Sequence, residues 1–370
     1  MSEHIYGIHE YSDEWHRWIL ENNVTGWWVE LTELSGDYNG RDLRKDRLKP
    51  IVRINWGYGT TGTMPCKRDW DTYLSRLEHF LRTSKGIERL TIFNELSLKW
   101  EWCDGIMPSV EEVVELYKKT YAVTKSVNPG IKVAFAPPAP WNPTWGGDWV
   151  DIIPKLCDMI GHEKIDFFAF HAYTKGYELE KFTVLQPMDP PYQHRNFSFA
   201  NLWEQMNAIP KDMRHLEVHV TETNGDDSWQ HNSTGRWVQS LYHHINEWNK
   251  NPESQKILSA SLFRWNSGDN KWDMSRDERT KNDFRESLKH NYTHNYTGKA
   301  PQIEIKPTVG PNQGRIVAEA GLNVREAPGG RILTVAKYGD LVQVRGEKEG
   351  WLNVAYNGFV GWASAEYIER

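Results

Sequence analysis

The strongest constraint on the fold is an alternation of apolar runs and amphipathic segments from residue 5 to about residue 290. Eight apolar runs have the length and near-continuous hydrophobicity of strands buried on both faces, as in parallel sheets. The predicted strands are 5–10, 26–34, 50–56, 90–95, 132–137, 165–173, 216–222 and 258–265. The predicted helices are 13–23, 69–81, 110–126, 148–160, 201–208, 235–249 and 276–290.

Eight strands that alternate with helices over this length are typical of a (β/α)8 TIM barrel, an α/β fold. Ser12 and Ser109 precede acidic first turns and are predicted helix N-caps, whereas the connection at 37–48 is only weakly helical. The alternative is a doubly wound open sheet, which commonly has a glycine-rich phosphate loop after its first strand. Here the first strand ends in His9-Glu10-Tyr11 without such a loop, which favours the barrel.

The pattern changes near residue 295. Residues 295–314 are rich in proline and glycine and are predicted to be a linker. Short strands separated by turn signals follow and suggest a small all-β barrel; they are predicted at 315–318, 322–325, 333–336, 341–345, 351–355 and 358–364. The predicted domains are therefore a TIM barrel at 1–294, the linker at 295–314 and the small barrel at 315–370.

Charge and composition exclude some function classes. The net charge of −6, from 44 basic and 50 acidic residues, argues against nucleic acid as a partner. No run approaches the roughly 18 apolar residues that a membrane span requires. The N-terminus lacks the pattern of a secretory signal, so we expect a protein that is cytoplasmic, that leaves the cell by another route, or whose signal was removed. Cys66, Cys103 and Cys157 lie far apart without metal-ligand spacing and are expected to be buried or free thiols.

Tryptophan is unusually abundant. The 19 tryptophans outnumber both the 12 phenylalanines and the 8 methionines. The indole N–H needs a partner when it is buried, so this surplus suggests either aromatic platforms for sugar rings or a tryptophan-rich core.

In a TIM barrel the functional residues lie at the carboxyl ends of the strands. Two predicted strands end in a glutamate, Glu95 on the fourth and Glu222 on the seventh. These strands lie nearly opposite each other in an eight-membered ring. Two carboxylates in different environments can divide the roles of acid and nucleophile, and retaining glycosidases place them about 5–5.5 Å apart.

The same rim carries Asn94 before Glu95, His171 and Tyr173 on strand six, and Trp265 on strand eight. With this arrangement, residues 5–290 resemble the clan A glycoside hydrolases, retaining β-glycosidases on a (β/α)8 barrel. The resemblance implies that Glu95 is the acid/base and Glu222 the nucleophile, and that no cofactor or metal takes part.

The resemblance also implies roles for the neighbouring residues. Asn94 would bind the sugar 2-hydroxyl, Tyr173 would hydrogen-bond the nucleophile and His171 would shape the site. Trp265 would form the floor under the sugar at the cleavage point. Arg53 matches the arginine that supports the nucleophile. Asn55 or Trp56 occupies the region where many cellulase-like members carry a histidine. The predicted substrate-binding residues are therefore Asn94, Arg53, His171, Tyr173, Trp265 and Trp56.

Residues 315–370 resemble a bacterial SH3-like domain. The resemblance rests on Gly321-Leu-Asn-Val-Arg-Glu-Ala-Pro-Gly, Gly350-Trp-Leu-Asn-Val and Gly361-Trp. Such modules bind cell-wall peptide or glycan, or only pack against a catalytic domain, so a bacterial cell wall is a possible partner.

The leading hypothesis is a retaining glycoside hydrolase that acts on a β-linked polysaccharide. The alternatives are a lysin that cleaves peptidoglycan and a non-catalytic carbohydrate-binding protein. Tryptophans in the expected top-face loops favour several subsites and endo action; these are Trp28, Trp56, Trp100, Trp102, Trp141, Trp145, Trp229 and Trp272.

Overall fold

The computed structural model describes residues 4–268, 271–294, 313–356 and 359–370. The chain divides into two compact units. The N-terminal unit holds an eight-stranded parallel sheet and the C-terminal unit a seven-stranded antiparallel sheet. Most of the predicted linker at 295–314 lies outside the described residues.

All eight predicted barrel strands are present, and each sheet neighbour is parallel. They are β1 (Tyr6–His9), β2 (Gly26–Glu33), β3 (Leu48–Asn55), β4 (Arg89–Ile92), β5 (Lys132–Ala134), β6 (Phe167–His171), β7 (Glu217–Thr223) and β8 (Ile257–Leu262). Their order is β5-β4-β3-β2-β1-β8-β7-β6. This unbroken cyclic order fits a barrel and not a doubly wound sheet, in which the strand order reverses at a switch point.

Asp166 connects β5 to β6 where the sheet would otherwise stay open. Its backbone N–H donates to the Val133 carbonyl (3.0 Å), and its side-chain Oδ2 accepts from the Val133 N–H (2.9 Å). The barrel is therefore nearly closed.

The helices also follow the prediction, and most of them bury an apolar face. They are α1 (Asp13–Glu21), α2 (Trp70–Thr83), α3 (Val110–Val127), α4 (Ile152–Ile160), α5 (Ala200–Ala208), α6 (Trp237–Lys250) and α7 (Glu278–Ser287). Ser12 caps α1, and Ser109 forms a capping box with Glu112 at the start of α3, as predicted. β2 connects to β3 without a helix. No helix in the described part of the chain is long and apolar enough to cross a membrane.

A polar cluster lies at the amino ends of the barrel strands. Glu217 accepts a hydrogen bond from Arg89 Nε (2.8 Å), and the Arg89 guanidinium lies over the Trp27 ring. The His219 ring packs against the same indole, with 4.8 Å between the centroids. Burial opposes ionisation of Glu217, but hydrogen bonds from His219 and Arg89 hold its pKa well below the usual value. This cluster fills the bottom of the barrel, where polar groups stabilise the fold instead of binding ligands.

The C-terminal unit is the predicted all-β barrel. Its strands are β9 (Gln313–Ile316), β10 (Leu322–Arg325), β11 (Ile332–Ala336), β12 (Leu341–Lys348), β13 (Trp351–Tyr356), β14 (Phe359–Ser364) and β15 (Ile368–Glu369). The order is β11-β10-β14-β13-β12-β9-β15. Alternating side chains such as Leu322, Val324, Leu352 and Val354 form its core. The short β15 was not predicted.

Candidate active site

A cleft of about 800 Å³ opens at the carboxyl ends of the barrel strands. Both Glu95 and Glu222 line it. A cleft of this size falls within the range of ligand-binding sites. Its position is the one that the barrel fold predicts for function.

His171 lies between the two glutamates. Its Nδ1 is 2.7 Å from Glu95 Oε1, and its Nε2 is 3.7 Å from Glu222 Oε1. The imidazole is fully buried, and the two carboxylate side chains are 12% and 5% exposed. The two carboxylates therefore lie on either side of a single imidazole ring.

Glu222 is surrounded by hydrogen-bond donors. The Tyr173 hydroxyl donates to its Oε2 (2.8 Å), and Arg53 forms an ion pair with its Oε1. His9 Nε2 lies 3.6 Å from the same oxygen, but burial and the charge of Arg53 hold the pKa of His9 well below its usual value. A neutral imidazole, a phenol and a guanidinium thus surround this carboxylate, an environment suited to a negative charge.

Glu95 has a different environment. Burial raises its pKa, the charge of Glu222 adds to the shift, and His171 and Arg53 oppose it. A carboxyl with a raised pKa keeps its proton to higher pH, as a general acid requires. The backbone at Glu95 and Phe93 has positive φ values of 27° and 69°. Such conformations are uncommon for non-glycine residues and are often found at functional sites.

A chain of hydrogen bonds continues from Arg53 through Asn94 to a third glutamate. Arg53 Nη1 donates to Asn94 Oδ1 (2.9 Å), and Asn94 Nδ2 donates to Glu101 Oε1 (3.0 Å). Burial raises the pKa of Glu101 to about 7. Sequence reasoning missed Glu101 because it follows β4 in a loop instead of closing a strand.

Two predicted substrate contacts do not lie in the cleft. Trp265 is 6% exposed and packs its ring edge-on against Trp18 of α1, with 5.3 Å between the centroids. Trp56 is 8% exposed and packs against Tyr73 and Arg76 of α2. Both side chains turn outward into the layer between the sheet and the helices, so their predicted role in binding substrate is wrong.

Three of the eight tryptophans predicted for the top-face loops line the cleft: Trp100, Trp141 and Trp272. Trp100 is 63% exposed. Trp28 and Trp229 are buried in the core. The indole N–H groups of Trp102 and Trp145 donate to the carbonyls of Leu96 and Pro108. Most tryptophans thus belong to packing, and a smaller set offers rings to a ligand.

The prediction of free thiols is wrong for two cysteines. Cys66 and Cys103 form a disulfide with Cα atoms 5.5 Å apart, whereas Cys157 is buried and free. The two bonded residues are 37 positions apart in sequence, and only the loops after β3 and β4 bring them together. Within the described chain, the group of His, Cys, Asp and Glu side chains close enough to hold a metal ion is Cys66, Cys103 and Asp104, and the disulfide uses both sulfurs.

In the comparison with protein families, a match was found for the C-terminal unit. Residues 320–369 match the family model described as a bacterial SH3 domain. A search of the curated proteins found no match.

Among solved structures, the chain is similar to a glucosidase from Croceicoccus marinus, with 11% identity, a TM-score of 0.54 and coverage of 78% of this chain and 67% of that one. A family 39 glycoside hydrolase from Bacteroides cellulosilyticus WH2 matches at 13% identity over 97% of this chain and 69% of that one, with a TM-score of 0.49. At these sequence identities the similarity is evidence of the fold alone. That evidence comes from the first structure, whose TM-score is above 0.5. The chain thus joins a (β/α)8 barrel of the kind found in glycoside hydrolases to a bacterial SH3 domain.

Proposed function

We propose that the N-terminal unit is a retaining glycoside hydrolase in which Glu222 is the nucleophile and Glu95 the acid/base. The observation that supports this most is the pair of buried glutamates joined by His171 in one cleft, with donors around Glu222 and a raised pKa at Glu95. Different environments for two carboxylates are the requirement for dividing these roles.

The proposed reaction is a double displacement. A Glu222 oxygen attacks the anomeric carbon while Glu95 gives its proton to the departing oxygen, so the glycosidic bond breaks and a covalent glycosyl ester forms. Glu95, now ionised, then removes a proton from water, and the hydroxyl oxygen displaces Glu222 at the same carbon. Arg53 and Tyr173 hold the nucleophile, and Asn94 contacts the sugar 2-hydroxyl.

The cleft supports endo action on a β-linked polysaccharide. Its volume exceeds what one sugar ring needs, and the rings of Trp100, Trp141 and Trp272 lie along its wall. Aromatic faces suit the apolar C–H faces of successive sugars.

The test is hydrolysis of aryl β-glycosides and β-glucans, with NMR detection of the first-formed anomer. We expect β-configured product and no measurable turnover by Glu222→Gln. Glu33→Gln is the matched control, because Glu33 also lines the cleft but is exposed. An α-configured first product, or a Glu222→Gln variant as active as the control, would exclude the mechanism.

We further propose that the C-terminal unit binds cell wall or glycan. Its surface exposes large apolar side chains, among them Tyr338 (59%) and Phe359 (45%). Deletion of 315–370 should lower sedimentation with purified cell walls and leave turnover of small glycosides unchanged, since a tethered second site raises local concentration. Unchanged sedimentation with a lower melting temperature would assign the unit a stabilising role. Loss of wall turbidity would favour the lysin alternative over polysaccharide hydrolysis.

A further inference from the structure

We propose that Glu101 is a positioning residue that fixes the side-chain amide of Asn94 and, through it, recognition of the sugar 2-hydroxyl. This inference rests on the proposed function and deepens it. It assigns a third glutamate to a site that needs only two for its chemistry.

The two ends of the Asn94 amide are held by partners of opposite kind. Arg53 can only donate, and it donates to Oδ1 (2.9 Å). Glu101 Oε1 accepts from Nδ2 (3.0 Å). A reversed amide would place its NH2 group against the guanidinium, so these two contacts select one orientation. One N–H of Asn94 Nδ2 is left to donate to a ligand.

Glu101 is held in place from its backbone. Its N–H donates to the Leu98 carbonyl (2.9 Å), and its carbonyl accepts from the Thr63 N–H (3.0 Å). Cys103, two positions later, is tied to Cys66 by the disulfide. The loops after β3 and β4 therefore fix where the carboxyl can lie.

Burying a carboxyl that makes no hydrogen bonds would lower the stability of the fold. Glu101 is 3% exposed, and burying an ionisable group without compensating contacts is unfavourable. A side chain that only filled space would be better apolar. The hydrogen bond from Asn94 gives this carboxyl a specific role beside the catalytic candidates, and the Thr63 side chain is its second hydrogen-bond partner.

The test compares Glu101→Leu with Glu101→Gln on an aryl β-glycoside and on its 2-deoxy analogue. Leucine keeps the volume but removes the acceptor, whereas glutamine retains an oxygen that can accept from Asn94. We expect Glu101→Leu to lower kcat/KM about tenfold on the 2-hydroxy substrate, as for one lost hydrogen bond of about 1.4 kcal/mol. The 2-deoxy substrate should change less than about twofold, and Glu101→Gln should recover most of the loss.

Two controls keep the interpretation specific. Glu111→Leu, on the exposed first turn of α3, should change neither substrate. In an Asn94→Ala background, Glu101→Leu should cost nothing further, because residues that act through one contact are not additive. Equal losses on both substrates, or additive losses, would make Glu101 a merely structural residue and overturn the proposal.

A spectroscopic readout separates this inference from the proposed function. The side-chain NH2 signals of Asn94, identified by their loss in Asn94→Ala, should shift in Glu101→Leu and stay close to their original positions in Glu101→Gln. This holds whether or not the protein cleaves a glycoside. Unshifted signals in Glu101→Leu would refute the positioning role even in an active enzyme, whereas shifted signals in an inactive protein would leave it standing and refute only the proposed function.

Discussion

The Cys66–Cys103 disulfide should contribute a large part of the stability of the barrel. It joins residues 37 positions apart, in the loops after β3 and β4. Replacing both cysteines by serine removes the cross-link and releases this segment in the unfolded chain. For a closed loop of this length, the chain-entropy relation gives about 4 kcal/mol at 25 °C.

This free energy converts to a measurable shift. The barrel is described over residues 4–268 and 271–294, and an unfolding entropy of about 2.1 cal/mol/K per residue gives a shift of about 1.6 °C per kcal/mol for a unit of this size. We therefore expect the double serine variant to melt about 6–7 °C lower. The assay is calorimetry of the full chain with and without dithiothreitol.

Reductant provides an internal control. Dithiothreitol should lower the melting temperature of the wild type to that of the double serine variant and leave the variant unchanged. A wild type that ignores reductant under denaturing conditions, together with a variant of equal stability, would refute the cross-link. A shift below about 2 °C would show that the entropic reasoning fails for this loop.

Three other predictions test the site and its surroundings. Glu95→Gln should slow substrates with poor leaving groups far more than activated aryl glycosides, and azide should rescue Glu95→Ala with formation of a β-glycosyl azide; equal losses on all substrates would contradict the acid role. Because the pKa of Glu101 is raised from 4.5 to about 7 in the folded chain, its contribution to stability is complete below pH 4.5 and is lost as pH rises through about 7. Urea unfolding across this interval should therefore show a smaller decline for Glu101→Gln than for the wild type. Trp100→Ala should raise KM for a polysaccharide with little change in melting temperature, whereas Trp265→Ala should lose about 3–5 kcal/mol of stability, measured by urea unfolding; the reverse pattern would contradict their placement.

The fold could be predicted because parallel barrel strands are buried on both faces and appear as apolar runs in the sequence. Their carboxyl ends also located Glu95, Glu222, His171 and Tyr173, which the structure brings together. The strand ends located these residues although Glu95 and Tyr173 follow the last residues of their strands, Ile92 and His171.

What the sequence did not reveal lies in loops or depends on side-chain direction. Glu101 and Cys103 follow β4 in a segment without regular periodicity, so no pattern pointed to their partners. Trp265 follows β8, but its position did not determine whether the indole faces the cleft or the helices. In the structure it faces Trp18, because an indole at this point can bury more surface against α1 than it can in an open cleft.

The two catalytic candidates, Glu95 and Glu222, differ in the groups that surround their carboxylates. The negative charge of Glu222 is one of the causes that raise the pKa of Glu95. In the proposed double displacement, formation of the glycosyl ester removes this charge, while His171 and Arg53 continue to favour the ionised form of Glu95. The pKa of Glu95 should therefore fall after the first step, when the residue must act as a base, and rise again when Glu222 is released. In this proposal the same contacts favour the acid role of Glu95 in the free protein and its base role in the intermediate.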